Sequence, residues 1–378
     1  MNTEGWEEKY MSSMTGNKLK ISIFGESHGE AIGVVMDGLP PGIRVDNEYI
    51  EKQMARRAPG KNDLSTARKE GDSFSIVSGI FEGRTTGAPL CAIIQNKDTR
   101  SKDYLELKIK MRPGHSDYPG HVKYMGFNDY RGGGHFSGRI TAPLLLAGSI
   151  AMSILENYKG IYIGSRIKKL YTVEDDISFE TNTETILKLR KSDFPVINDE
   201  AGEKMKSEIL RAKEEGDSVG GVAETVILNV PAGYGEPFFD SVESRLSHMI
   251  FSIPAVKGIE FGEGFAITAM RGSQANDPYV AEGGRIIAKT NKNGGILGGI
   301  TNGMPIKFRT AIKPTASISK VQDTVNIDTM ENATLQVEGR HDPCILQRAI
   351  PVIDGAAALV VLDLIMERDG ELLKEEVL

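Results

Sequence analysis

Cysteine is nearly absent: the 378 residues hold two, Cys91 and Cys344, far apart and without metal-ligand spacing. That excludes a disulfide-stapled scaffold and a thiolate metal centre, and it reads the pair as reduced core residues. Surplus positive charge is missing as well. A formal net charge of −7 excludes a nucleic-acid binder that relies on bulk cationic character, so any anionic ligand must be met by a local basic cluster. No G-x-G-x-x-G leads from a strand into a helix, which leaves a doubly wound dinucleotide fold unsupported. The first residues lack an apolar stretch of signal-peptide length. The most apolar windows, 140–155 and 349–366, are interrupted by Pro143 and Ser149 and by Asp354 and Asp363. They read as poor membrane spans, and the chain as soluble and cytoplasmic.

Glycine, by contrast, is abundant at 42 residues, above the usual share of about 7%. Without a collagen period, such an excess points to tight turns and close approach of backbone to ligand. One such stretch is Arg112–Arg139, RPGHSDYPGHVKYMGFNDYRGGGHFSGR, which holds three of the six histidines (His115, His121, His135), three arginines and three consecutive glycines. Glycine and proline forbid a long regular element there, and an irregular loop of that length inside a patterned chain is either functional or disordered. Tyr118, Tyr124, Phe127, Tyr130 and Phe136 argue against disorder. The stretch reads as an ordered active-site loop, with a plain surface loop as the alternative.

The rest of the chain mixes α and β elements. Residues 1–18 read as a flexible extension and 19–378 as one domain, with no linker and no solenoid period. Strands are expected over 19–24 and 34–36, either side of GESHGEAIG, and over 73–81, 89–95, 161–171, 222–230 and 305–312. Helices are expected over 46–57 with Asp46 as cap, 141–158, 200–215, from Asp240 to 253, and 344–368. Residues 271–303 read as a second irregular zone and 313–319 as a polar loop.

Five constellations carry chemistry. Gly25-Glu26-Ser27-His28-Gly29 exposes a histidine at a strand end, where it can transfer a proton near neutral pH; a turn histidine that binds nothing is the bland reading. No third ligand accompanies Glu26 and His28, so a metal is not expected. Arg112-Pro113-Gly114-His115 holds a second histidine in a glycine turn. Arg131 to Arg139, RGGGHFSGR, enters a helix and presents backbone N–H groups to an anion. Arg56, Arg57, Arg68, Arg84 and Arg340 offer guanidinium forks for carboxylate or phosphate, or solvated surface charge. Gly339-Arg340-His341-Asp342-Pro343-Cys344 sets a charged group before the last helix.

Taken together, these segments resemble the chorismate synthase family. GESHGEAIGVVMDGLPPGI, RPGHSDY with DYRGGG, and GRHDPC match its three signature regions in order, and FEGRTTGAP, NKDTRSKDY, LGGITNG and KPTAS its intervening blocks, from about Leu19 to Leu364. The resemblance implies an α+β fold, a single-domain β-α-β sandwich of sheets layered with helices, assembled as a homotetramer. It implies conversion of 5-enolpyruvylshikimate 3-phosphate to chorismate and phosphate, the last common step towards the aromatic amino acids, with reduced FMN required. NADPH or an external flavin reductase would supply the electrons. By similarity His28 protonates the departing phosphate, His115 serves the flavin near N1, and Asp342 helps at N5. Arg57, Arg139 and Arg340 hold phosphate and carboxylates. FMN contacts fall on His135, Phe136, Ser137, Pro254, Ala255, Gly298, Lys313, Pro314, Thr315, Ala316, Ser317 and Arg340. Asp63, the pair His135-Phe136, and His121 depart from the family pattern. An FMN- or phosphate-binding protein without elimination activity, or a flavin reductase alone, is the competing reading.

Overall fold

The computed structural model describes residues 13–58, 64, 71–96, 106–337 and 342–370; Asp63, Arg68, Arg340 and His341 lie outside them. Among the described residues the helices are α1 (Asn47–Arg57), α2 (Asp117–Lys123), α3 (Thr141–Ile154), α4 (Thr183–Lys191), α5 (Asp199–Glu214), α6 (Val242–Phe251), the single turn α7 (Gly272–Ala275) and α8 (Leu346–Asp369). Asp46 caps α1 by accepting from the Tyr49 amide, as its sequence predicts. The α6 cap is Ser241 rather than Asp240, its hydroxyl accepting from the Ser244 amide. α3 ends in a wide turn, Leu155–Lys159, closed by Gly160 in the left-handed region.

Two antiparallel sheets of five strands enclose the long helices. The first runs Met14–Thr15, Lys20–Gly25, Ala31–Asp37, Leu90–Gln95, Phe74–Ser78 in spatial order; the second runs Val256–Phe261, Ile306–Ile312, Gly221–Leu228, Tyr162–Leu170, Val173–Glu174. Period-two alternation decides which face turns inward. Leu90, Ala92 and Ile94 of one strand and Ile306, Phe308, Thr310 and Ile312 of another are buried, while their neighbours are half-buried or exposed. α3 packs on the first sheet, α8 on the second, and the two helices pack on each other. Sheets layered with helices, the architecture implied by the family resemblance, are what the fold contains.

This inner layer is apolar all round, as a helix with no wet face must be. All fourteen residues of α3 are buried, as is α8 from Leu346 to Met366 apart from Arg348. The stretches Gly138–Lys159 and Leu346–Asp369 are long and apolar enough to cross a bilayer, contrary to the reading of interrupted windows, yet they lie inside the protein. The apparent interruptions are anchors. Asp354 accepts from Ser165 Oγ at 2.6 Å and from Arg56 Nη2 at 3.0 Å. Asp363 accepts from the Asn17, Lys18 and Leu19 amides at 2.8, 2.8 and 2.7 Å and from Arg245. Each buried carboxylate is thus charge-compensated and hydrogen-bonded, the condition for tolerating it in a core.

Two expectations are corrected here. The loose extension does not reach residue 18, because Met14–Thr15 pairs with Ile21–Ser22 and the next residues bond to Asp363. The zone 271–303 is not irregular: it contains the hairpins Tyr279–Glu282/Arg285–Ala288 and Ile296–Leu297/Ile300–Thr301 besides α7. The glycine pairs Gly283-Gly284 and Gly298-Gly299 are the hairpin turns. Cys344 is buried and free, its thiol pushed up to about 12 by burial, and Cys91 is also free.

α3 and α8 touch through glycine. A Cβ on Gly148 would stand 2.4 Å from the Gly355 Cα, with further backbone atoms at 2.6 and 2.7 Å. Neither helix can yield without moving a sheet. Gly148→Ala should therefore cost about 1–3 kcal/mol through overpacking, read as a lower urea midpoint. Gly272→Ala, which meets nothing within 4 Å, should stay within about 0.5 kcal/mol of the parent.

Candidate active site

Gly132, Gly133 and Gly134 have φ of 58°, 84° and 54°, three consecutive residues in a region that side chains enter only with strain. The run turns so tightly that two histidines from distant segments rest on it. A Cβ on Gly132 would lie 2.2 Å from the His28 ring, and one on Gly133 would lie 3.1 Å from the His115 ring. A Cβ on Gly134 would strike the Asp129 carbonyl at 2.0 Å. Glycine is required at each position for a different neighbour.

His28 comes from the turn between Lys20–Gly25 and Ala31–Asp37 and is 5% exposed. That turn is stapled to the glycine run by Ser27 N–H donating to the Gly134 carbonyl at 3.1 Å and by His135 Nδ1–H donating to the Gly25 carbonyl at 2.8 Å. The Asn96 amide holds it from beneath, donating to the Glu26 and Gly29 carbonyls. Gly25–Gly29 also spells G-x-S-x-G, but it joins two antiparallel strands. A nucleophile elbow joins a strand to a helix, so Ser27 is a turn residue here.

His115 sits on the Arg112–His115 turn, its Nδ1 2.6 Å from Asp117 Oδ1. Arg112 donates to the same carboxylate through Nε at 2.7 Å and Nη2 at 2.8 Å, and reaches Ser317 Oγ at 3.2 Å with Nη1. Burial pushes the Asp117 carboxyl up, but the hydrogen bonds and charges of Arg112 and His115 outweigh it and hold the group well below the usual range. The central loop is less irregular than its composition predicts. Asp117–Lys123 forms α2 in spite of Pro119, which sits in the first turn, where a missing N–H is tolerated.

The basic residues divide. Arg57, 3% exposed, donates to Asp72 Oδ2 at 2.7 Å, Thr141 Oγ1 at 3.0 Å and the Gly138 carbonyl at 2.8 Å. Arg139 takes the other oxygen of Asp72 and reaches Asn96 Oδ1 at 3.3 Å. Arg348 donates to the Arg57 carbonyl at 3.0 Å and pairs with Asp342. Arg57, Arg139 and Asp342 therefore belong to one network where α1 ends and α3 and α8 begin. Arg84 is elsewhere, donating to the Gly42 carbonyl. Asp72, Asn96, Asp117 and Arg348 escaped the sequence reading. Asp117, two residues after His115, carried a local signal; the others are joined to the site only by folding.

The expected FMN contacts form two groups. Lys313 N–H donates to the Ala255 carbonyl at 2.9 Å, its ammonium reaches the Gly114 carbonyl, and the Thr315 carbonyl accepts from Ser218. Pro254 and Ala255, Lys313–Ser317 and the Arg112–His115 turn are thus neighbours. Burial, and after it the Lys257 charge, lowers the Lys313 ammonium, a strain that an anion would relieve. The Thr315 hydroxyl is buried without a hydrogen-bond partner among the described residues. This donor set fits the phosphate of a flavin nucleotide. Phe136 packs its ring against Gly120 and Tyr124, and Ser137 Oγ accepts from the Arg139 amide. Gly298 is apart: it forms a hairpin turn whose next residue accepts from Val242 at the start of α6, whereas Pro254 and Ala255 follow that helix's end. Among the described residues no group of three His, Cys, Asp or Glu could hold a metal ion.

Asp72 is the counter-charge of two arginines. Its burial raises the carboxyl, and the charges of Arg57 and Arg139 outweigh that and lower it. The unfolded chain, titrating near 4, therefore takes up this proton first. The pair's contribution to stability is complete above about pH 4 and is lost as pH falls further. Asp72→Asn should cost about 3–5 kcal/mol at neutral pH by stranding two guanidinium groups and should flatten the acid limb of urea stability measured between pH 3 and 7.

A protein-family model described as chorismate synthase matches residues 19–366. The chain is 49% identical over 355 residues to a chorismate synthase of Pyrococcus abyssi, covering 94% of this chain and 98% of the relative. It is 46% identical over 356 residues to that of Thermococcus kodakarensis, with the same coverage. It is 42% identical over 354 residues to that of Synechocystis, covering 93% and 97%. A crystal structure of chorismate synthase matches with a TM-score of 0.75 at 28% identity, covering 96% of this chain and 98% of that one.

Proposed function

Because the chain belongs to the chorismate synthase family, we infer that its chemistry is assembled on the glycine run Gly132–Gly134. It is a carbon–oxygen lyase, converting 5-enolpyruvylshikimate 3-phosphate to chorismate by a trans-1,4 elimination in which phosphate leaves C3 and a hydrogen leaves C6. The reduced flavin required in this family would, when bound, supply electron density to the elimination and an acceptor for the hydrogen. We identify that flavin as FMN, reduced by NADPH or by an external flavin reductase.

The observation that carries the reading is the seating of two histidines from remote segments on adjacent glycines. Phosphate leaves best when protonated or neutralised, and a C6–H is not acidic, so the site needs proton control in two places. His28, enclosed at the strand end, would give its proton to the departing phosphate oxygen. His115, next to Lys313 and Ser317 through Gly114 and Arg112, would hold a proton towards the flavin near N1, with Asp342 serving near N5. Arg139 and Arg340 would meet the substrate's anionic groups. Arg57 would act with them while holding Asp72 in place. Lys313, Pro314, Thr315, Ala316 and Ser317, with His135, Phe136, Ser137, Pro254 and Ala255, would line the flavin.

Gly298, remote from Lys313–Ser317 within one chain, would join them from a neighbouring subunit of a homotetramer. Exposed Phe238, Phe239, Phe265 and Ile286 support burial against other copies. A cytoplasmic location belongs to the same proposal, in keeping with the free thiols of Cys91 and Cys344. The binding-only and reductase-only alternatives are not favoured by the family.

The test is an anaerobic assay of phosphate release with photoreduced FMN, with and without NADPH. His28→Ala and His115→Ala should each lose about 10²–10⁴-fold in turnover while FMN and substrate still bind. Near-parental turnover in either variant would remove that residue from its role. Light scattering at micromolar protein should report a tetramer, and a monomer would sink the assembly proposal.

A further inference from the structure

We propose that Asp117 is a positioning residue that fixes the proton on His115 at Nδ1, so that Nε2 is the atom offered to the reaction. This rests on the reading of His115 given under the proposed function and deepens it. The Asp117 carboxylate receives the Arg112 backbone N–H at 3.1 Å and the Arg112 Nε and Nη2 groups at 2.7 and 2.8 Å. An ionised carboxylate in that clamp can only accept. His115 Nδ1, 2.6 Å from Oδ1, must then be the donor. The opposite tautomer would set two lone pairs against each other at that distance.

Arg112 Nη2 also lies 3.1 Å from Nδ1. A guanidinium cannot accept a hydrogen bond, so once Nδ1 carries its proton this contact sets donor against donor. The shorter contact to an ionised oxygen decides between them. The imidazole is left with Nε2, which lies beside Gly133, 3.2 Å from where a Cβ would stand. It is thereby turned to the same glycine run that seats His28. When Nε2 gains a proton, Asp117 is the counter-charge of the imidazolium, opposed by the Arg112 guanidinium. Lys313, held on the Gly114 carbonyl, is the next cation, and His28 lies across Gly132 and Gly133. A histidine oriented by a carboxylate recurs wherever one ring nitrogen must be kept ready for proton transfer.

The experiment has two arms. In the first, the protein is labelled with 15N-histidine and followed by NMR from pH 5 to 9 without flavin or substrate, His115 being assigned by its loss in His115→Gln. The neutral ring should carry its proton on Nδ1. In Asp117→Asn the His115 titration midpoint should move to lower pH by at least half a unit. A neutral ring protonated on Nε2 in the parent protein overturns the proposal, whether or not the variant folds. So does an unchanged midpoint in a folded variant.

In the second arm, Asp117→Asn should lower kcat by about 10–100-fold, the usual cost of losing a group that orients a functional histidine and less than the loss of the histidine itself, with substrate KM unchanged. The pH limb of kcat that is lost in His115→Gln should shift in the same direction as the NMR midpoint. A fall confined to KM overturns the proposal. Full activity in His115→Gln would instead remove His115 from the mechanism, an outcome separate from the tautomer result.

Discussion

The contact between Gly148 and Gly355 sets the spacing of everything else. Two buried helices that meet backbone to backbone form a thin inner layer, and each sheet must lie against the outer side of one of them. That spacing also decides where the chemistry is. α3 and α8 begin at the same end of the sandwich, so the loops leading into them are brought together whatever their distance in sequence. The glycine run precedes α3, and Asp342 precedes α8.

Charge in this region is organised by pairing. The protein is acidic overall, yet Arg57, Arg112, Arg139 and Arg348 gather within a few turns of backbone. Each has an aspartate: Asp72 for Arg57 and Arg139, Asp117 for Arg112, Asp342 for Arg348. Burying a cation unpaired costs several kcal/mol. The aspartates therefore let the basic groups be positioned before any ligand arrives, and an incoming anion meets a preorganised field.

Much of this was legible in the sequence. The helices over 47–57, 199–214 and 346–369 and the strands over 90–95, 162–170 and 306–312 follow from period and capping, because each has one clear face or none. His28, His115, His135 and Arg139 stood out because glycine surrounds them. Asp72 did not, since a lone aspartate before a strand has many uses and only the fold places it between two arginines. The anchoring role of the polar residues inside the two apolar windows was hidden for a related reason. Asp354 and Asp363 look like breaks in an apolar run until Ser165, Arg56 and the amides of residues 17–19 are seen to satisfy them. The hairpins between 271 and 303 were hidden by turn residues that outnumber their short strands.

Asp363 has one more consequence. It lies near the end of the last helix, and the amides it holds belong to the residues that open the first sheet. Among the described residues, the approach to the strand Lys20–Gly25 is therefore tied to the last helix, side by side with it. A contact spanning more than 340 residues of sequence closes a very long loop, yet the entropy of closure grows only slowly with loop length. The first sheet therefore cannot be finished until the last helix exists, and the order in which these segments leave the ribosome is not the order in which they can be locked together.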